Sequence, residues 1–244
     1  MKCFYSVHVA LLLCLSLCSS LFAQSTTNVY SSVVNPEQQG VEYRMAFAPE
    51  DGNTASRFRE RLHYQRPFKE HFRWRGVIQG SDTINGELEL EWFQAELQWQ
   101  IRNASDHGWD SALRFDARIS KDGINPDRYG INWSNQFSLG GPWQARAILL
   151  TTRDIGNRAR SGVLIRTWTQ LRYRLQNGSN IALEMFNSYG RTPSFGSFQQ
   201  QKHQIGPAFI GRFTNGLSYN LGMLFGVSEA ASDLDLRVFL SKSF

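Results

Sequence analysis

Arginine is the side chain through which this sequence could do chemistry. Of its 26 basic residues 21 are Arg and five are Lys, set against 21 acidic ones. A guanidinium keeps its charge at physiological pH and offers carboxylate or phosphate a planar, two-pronged fork. Arg44, Arg57, Arg59, Arg61, Arg73, Arg75, Arg114, Arg118, Arg146, Arg166, Arg172, Arg174 and Arg212 fall at positions that alternate with apolar residues. Glu87, Glu89, Glu91, Glu96, Asp116 and Glu184 share that face and supply counter-charges. Such a surface either attracts and passes anions or locks itself into ion pairs. A formal net charge of +5 is too small to mark a nucleic-acid binder.

Other chemistry is thinly supplied. His63, His71, His107 and His203 follow the first 23 residues, and only His203 combines an outward register with a longer connection nearby. Ser194 and Ser197 are close to it in sequence, which is the sole hint of lipid hydrolysis. A nucleophile needs a base and a third, orienting group, and none stands out. Glu89 and Glu91 sit two apart on one face, so they cannot flank a sugar from opposite sides. Neither an HxxxH spacing nor an EF-hand loop occurs. No enzymatic activity, metal or other cofactor is expected.

The elements that must position the arginines are strands. Leu113, Phe115, Ala117 and Ile119 alternate with Arg114, Asp116, Arg118 and Ser120, a period of two that marks strands with one apolar and one polar face. No segment carries a convincing helical stripe. Turn chemistry such as Gly140-Gly141-Pro142, Asn177-Gly178 and Asn215-Gly216 cuts the chain into twelve segments. These are 41–48, 57–66, 71–80, 87–102, 111–120, 129–139, 143–152, 163–175, 181–190, 203–213, 217–228 and 234–244. Tight connections tend to alternate with longer polar ones, as the two rims of an outer-membrane barrel require.

The apolar faces are rich in aromatic rings, often near segment ends: Trp92, Trp99, Tyr129, Trp133, Trp143, Tyr173, Tyr189 and Tyr219. Rings at both ends of a strand suit two membrane interfaces. An arginine facing mid-bilayer costs about 2–4 kcal/mol on a barrel exterior, so the charged face must turn inward. The expected fold is all-β, a single antiparallel transmembrane β-barrel of about twelve strands over 41–244. A soluble β protein binding a ligand inside it is the rival architecture. Glu60, Asn135 and Pro207 fit the barrel pattern poorly. The fourth segment changes phase near Trp92 and Phe93, through a β-bulge or a misplaced boundary.

Residues 1–23 read as an export signal, with Lys2 before an apolar stretch and Ala23 at the cleavage point. Cys3, Cys14 and Cys18 are the only cysteines, so the exported chain would hold no disulfide. Residues 24–40, rich in Ser, Thr, Asn and Gln, read as a flexible polar lead-in. The short connections leave no long loop to fold into the lumen and narrow it.

The final segment alternates apolar residues and closes on Phe244. In this it resembles the Gram-negative outer-membrane β-barrels, which implies residence in the outer membrane, contact with its lipid, and Phe244 as part of an assembly signal read by the barrel-assembly machinery. The twelve segments, with Glu42-Tyr43-Arg44 and Arg57-Phe58-Arg59 near their start, resemble the small monomeric porins for acidic oligosaccharides. That resemblance implies a monomer whose arginine-lined pore takes up oligogalacturonate or sialylated sugars. The expected function is a channel for small anionic solutes. A non-conducting barrel closed by arginine–carboxylate pairs is the alternative.

Overall fold

Twelve strands follow one another along the chain: β1 (Gly40–Ala48), β2 (Arg57–Lys69), β3 (Phe72–Asp82), β4 (Leu88–Arg102), β5 (Trp109–Ser120), β6 (Asp127–Gly140), β7 (Trp143–Ile155), β8 (Val163–Arg174), β9 (Asn180–Arg191), β10 (Lys202–Arg212), β11 (Ser218–Gly226) and β12 (Leu234–Ser243). The structure is a computed structural model that describes residues 26–50, 55–82, 86–121, 123, 125–192 and 194–244. The expected export signal lies outside the described residues. Every expected segment is a strand, with ends displaced by three residues at most.

Each strand pairs antiparallel with its chain neighbours, and β1 pairs with β12 to close the barrel. Gly40 stands opposite Ser243 and Phe47 opposite Leu236 along that seam. The Phe244 amide donates to the Gln39 carbonyl at 3.0 Å, adding a bond at the rim where the seam ends.

Alternation sorts the residues as membrane burial demands. Along β6, Ile131, Trp133 and Phe137 face outward and are exposed, while Asn132, Ser134 and Gln136 face inward and are buried. A soluble protein would do the reverse. The barrel is a polar interior inside an apolar shell, and its strands are the elements that span a bilayer. At one rim ring pairs gather: Phe72 stacks on Trp99 at 5.8 Å, and Trp143 meets Tyr173 edge-on at 4.8 Å. These amphipathic rings form one interfacial belt.

That same rim holds the start of β1, the end of β12 and the short connections 70–71, 141–142, 175–179 and 213–217. A six-residue link carries the single-turn α1 (Ala104–His107). In the turn after β8, Asn177 accepts a bond from the Ser179 amide at 3.0 Å and Gly178 takes φ +83°. A side chain there would strain the backbone. The opposite rim carries most of the longer connections, including 192–201.

The misfits have local causes. Glu60 faces outward but accepts a bond from the Tyr43 hydroxyl. Pro207 also faces outward, where the β10–β11 ladder skips from Ile205 to Ala208 and asks no amide of it. The phase change in β4 is a β-bulge: Gln79 pairs with Trp92, but Gly80 pairs with Leu90. Glu91 and Trp92 therefore both turn inward. Trp92, expected on the lipid face, is 5% exposed and lies inside the barrel.

The apolar core also sits inside. Ile148, Leu150, Trp168, Phe186 and Leu224 project from the wall and enclose Val29 and Tyr30. Residues 24–40 were expected to be a flexible lead-in, yet the described residues 26–34 run through the lumen and 35–39 turn at its rim. Their polarity reads as solvation by water; the wall's own polar groups satisfy it instead.

If this partition holds the barrel together, Leu149→Arg, on the lipid face at mid-height, should cost about 2–4 kcal/mol. Urea titration of the barrel refolded into liposomes would measure it. Arginine at 149 without such a loss would contradict the membrane-facing assignment.

Candidate functional site

The lumen is built from inward positions of all twelve strands and from the strap 26–39. The strap rises from the short-connection rim, and its contacts climb the wall as its residue numbers fall. The Val34 amide donates to Gln100 at 2.8 Å, and Ser32 meets Ser134 at 3.1 Å. Arg146, level with Gln136, donates to the Val29 carbonyl at 3.3 Å; farther from that rim, Arg237 donates to the carbonyl of Thr27 at 3.1 Å and Arg44 to that of Thr26 at 3.2 Å. Arg114 lies 3.9 Å over the Tyr30 ring, a cation–π contact.

Around the strap the wall arginines divide by partner. Some meet carboxylates. Glu96 sits between Arg75 at 3.5 Å and Arg114 at 3.3 Å. Glu184, fully buried, takes Arg237, whose guanidinium lies over Gly222, where any β-carbon would collide with it. Asp154 collects Arg128 at 2.9 Å, Arg160 at 3.1 Å and Arg191 at 2.6 Å near the long-connection rim. Arg59 lies 3.6 Å from Glu91, and Arg44 lies 2.6 Å from Glu42.

Others meet only neutral groups among the described residues. Arg73 donates to Gln98 at 2.7 Å, Arg118 to Gln94 at 2.9 Å, and Arg146 to Gln136 at 2.7 Å. Arg166 donates to the Thr152 hydroxyl at 2.9 Å, and Arg61 to Gln79. Trp92 offers its ring to Arg118 at 3.9 Å and to Arg61 at 5.0 Å. A glutamine oxygen or an indole face steadies a guanidinium without cancelling its charge. Among the described residues those five arginines form no direct ion pair, although carboxylates such as Glu96 and Asp116 act on them from farther off.

Most expected residues are where the alternation placed them. Arg44, Arg59, Arg73, Arg75 and Arg114 are buried inside, with Arg57, Arg118, Arg146, Arg166 and Arg172 half-buried on the inward face. Arg174 and Arg212 end their strands exposed at the short-connection rim, outside the enclosed lumen. Glu91, Glu96, Asp116 and Glu184 face inward, and Asp116 accepts from Asn132 at 2.5 Å. Glu87 precedes β4, and Glu89 lies exposed in its first turn of chain. Arg128, Asp154, Arg191, Asp235 and Arg237 were missed. Arg237 carried a readable signal, because it alternates with Leu234, Leu236 and Val238 like the others.

His203 is not poised for hydrolysis. Its Nδ1 meets Asn187 at 2.8 Å, its Nε2 meets Gln201 at 3.0 Å, and Phe198 stacks on the ring at 4.5 Å. Both nitrogens serve to pin the 192–201 connection against the wall.

Space in the lumen is uneven. A cavity of about 380 Å³ lies at the long-connection rim, lined among the described residues by seven arginines and Lys202 with Glu91 as the one carboxylate. Deeper, beside Thr27, Asn28 and Tyr30, only about 40 Å³ remains, enough for roughly two or three waters.

Glu96 anchors this arrangement, so Glu96→Gln should leave Arg75 and Arg114 facing each other unpaired. The expected loss is on the order of 3 kcal/mol, read as a lowered urea midpoint; an unchanged midpoint would mean that the lumen hydrates its arginines freely.

Neither the protein-family models nor the curated proteins include a match to this chain. Solved structures do share its fold. The KdgM porin superposes with a TM-score of 0.61 at 9% identity, over 84% of this chain and 99% of that one. The KdgM porin in complex with disordered oligogalacturonate gives 0.59 at 9% identity, with 84% and 99% covered. The NanC porin gives 0.62 at 11% identity, with 84% and 100% covered. This chain is thus built as a closed, twelve-stranded barrel of the same fold as these porins.

Proposed function

We propose that this protein is an outer-membrane, porin-like channel for small anionic solutes such as acidic oligosaccharides, working as a monomer. One observation carries the reading. Arg61, Arg118 and Arg166, which meet only neutral partners among the described residues, line the cavity of about 380 Å³ at the long-connection rim. Guanidinium groups without a direct carboxylate partner at a mouth raise the local concentration of anions and lower the barrier to their entry. Charge-assisted bonds to a carboxylate would be stronger than those the glutamines provide. The fold shared with the KdgM and NanC porins supports transport over catalysis. Phe244, exposed at the opposite rim, would serve as part of the signal read by the assembly machinery.

A second reading has its own support. The deep lumen of about 40 Å³ and the Glu96, Glu184 and Asp154 ion pairs suit a barrel that does not conduct.

Planar-bilayer recording under a salt gradient separates the two. The protein, purified from outer membranes, should give discrete steps and a reversal potential favouring anions. Arg61→Gln with Arg118→Gln should lower the anion-to-cation permeability ratio several-fold while the barrel still folds. Cation preference, or no change in the double variant, would overturn the anionic reading.

A further inference from the structure

We propose that residues 26–38 are a displaceable plug, seated in the lumen at rest and released when a polyanionic solute takes over the arginines that hold it. The inference rests on the channel reading above and adds to it a resting state and the means of leaving it.

The seat is specific. Ile148, Leu150, Trp168, Phe186 and Leu224 face inward, where a hydrated passage has no use for apolar side chains, and they close around Val29 and Tyr30. An empty lumen would expose this patch to water, so the strap is its natural cover. With the strap in place the space beside Thr27, Asn28 and Tyr30 is about 40 Å³, too small for a sugar ring.

The attachment is also reversible in kind. Among the described residues no backbone-to-backbone hydrogen bond joins 26–36 to the wall; the strap is not a thirteenth strand. It can leave without breaking the barrel's ladder. Residues 35–39 turn at the short-connection rim, where the Gln38 amide donates to the Asn35 carbonyl at 3.1 Å, and they tether the strap to β1.

The latch sets three wall cations against uncharged strap carbonyls, with Arg44 also held by Glu42 and Arg237 by Glu184. Arg44, Arg146 and Arg237 each donate to a strap carbonyl, of Thr26, Val29 and Thr27 respectively. Residues 26–36 carry no charge at all. A solute with several carboxylates offers Arg146, and the N–H groups of Arg44 and Arg237 that Glu42 and Glu184 leave to the strap, stronger, charge-assisted bonds than a carbonyl does. It therefore competes with the strap for its own binding groups, and arrival of the solute favours the open state.

Ser32 on the strap and Ser134 on β6, with hydroxyls 3.1 Å apart, allow a direct test. In the full chain, Ser32→Cys with Ser134→Cys would form a disulfide across that gap, and no native cysteine lies beyond residue 18. Conductance is recorded in planar bilayers before and after a reductant, with citrate as the polyanion. The oxidised channel should be closed, with open probability lowered by more than an order of magnitude, and citrate should not rescue it. The reduced channel should open, and more often with citrate. Deletion of 26–38 should give a permanently open, anion-selective pore.

Equal conductance in the oxidised and reduced states would overturn the plug. Opening on reduction that citrate leaves unchanged would overturn release by the solute. A deletion variant that folds but stays silent would overturn the channel reading itself. If the deletion does not fold, the cysteine pair alone decides.

Discussion

No charge on this chain can face hydrocarbon cheaply, and that constraint organises everything else. The strands must cross a bilayer, so their outward positions are filled by Ile, Leu, Trp and Phe, and the arginines turn inward. Concentrated there, guanidinium groups repel one another and need partners at close range. Carboxylates supply some of these. The glutamines at 79, 94, 98 and 136 supply others, steadying arginines without neutralising them. The choice between a carboxylate and an amide as neighbour decides where in the lumen positive potential survives.

The strap answers the same constraint. A closed barrel of this size encloses more wall than its inward side chains can fill, and those side chains include an apolar cluster that water would leave unsatisfied. Val29 and Tyr30 cover that cluster, while the backbone carbonyls of Thr26, Thr27 and Val29 accept from Arg44, Arg237 and Arg146, whose other bonds go to Glu42, Glu184 and Gln136. One short segment meets both needs because its side chains are mixed and its carbonyls are not engaged in a ladder.

The barrel was legible in the sequence because a period of two survives over whole strands and turn residues mark their ends. The lumen arginines were legible for the same reason: position within an alternating run fixes the face. What escaped was decided by events with no period. The bulge opposite Gly80 takes one residue to turn Trp92 from lipid to lumen, and alternation cannot say on which side of the bulge a residue falls. Arg128 and Asp154 lie near strand ends, where the pattern is shortest. The strap has no period at all. Serine, threonine and asparagine suit water and a polar lumen equally well, and only the closed wall distinguishes the two.

The absence of charge on residues 26–36 also bears on electrical control. A membrane potential does work on a moving segment in proportion to the charge it carries, about 2.3 kcal/mol per elementary charge for every ~100 mV. Between Thr26 and Pro36 it has nothing to pull, and the strap's one charge, Glu37, lies at the tethered end. In the proposed release its position would be set chiefly by which acceptors the arginines hold, so the lumen would respond to the composition of its surroundings more than to voltage.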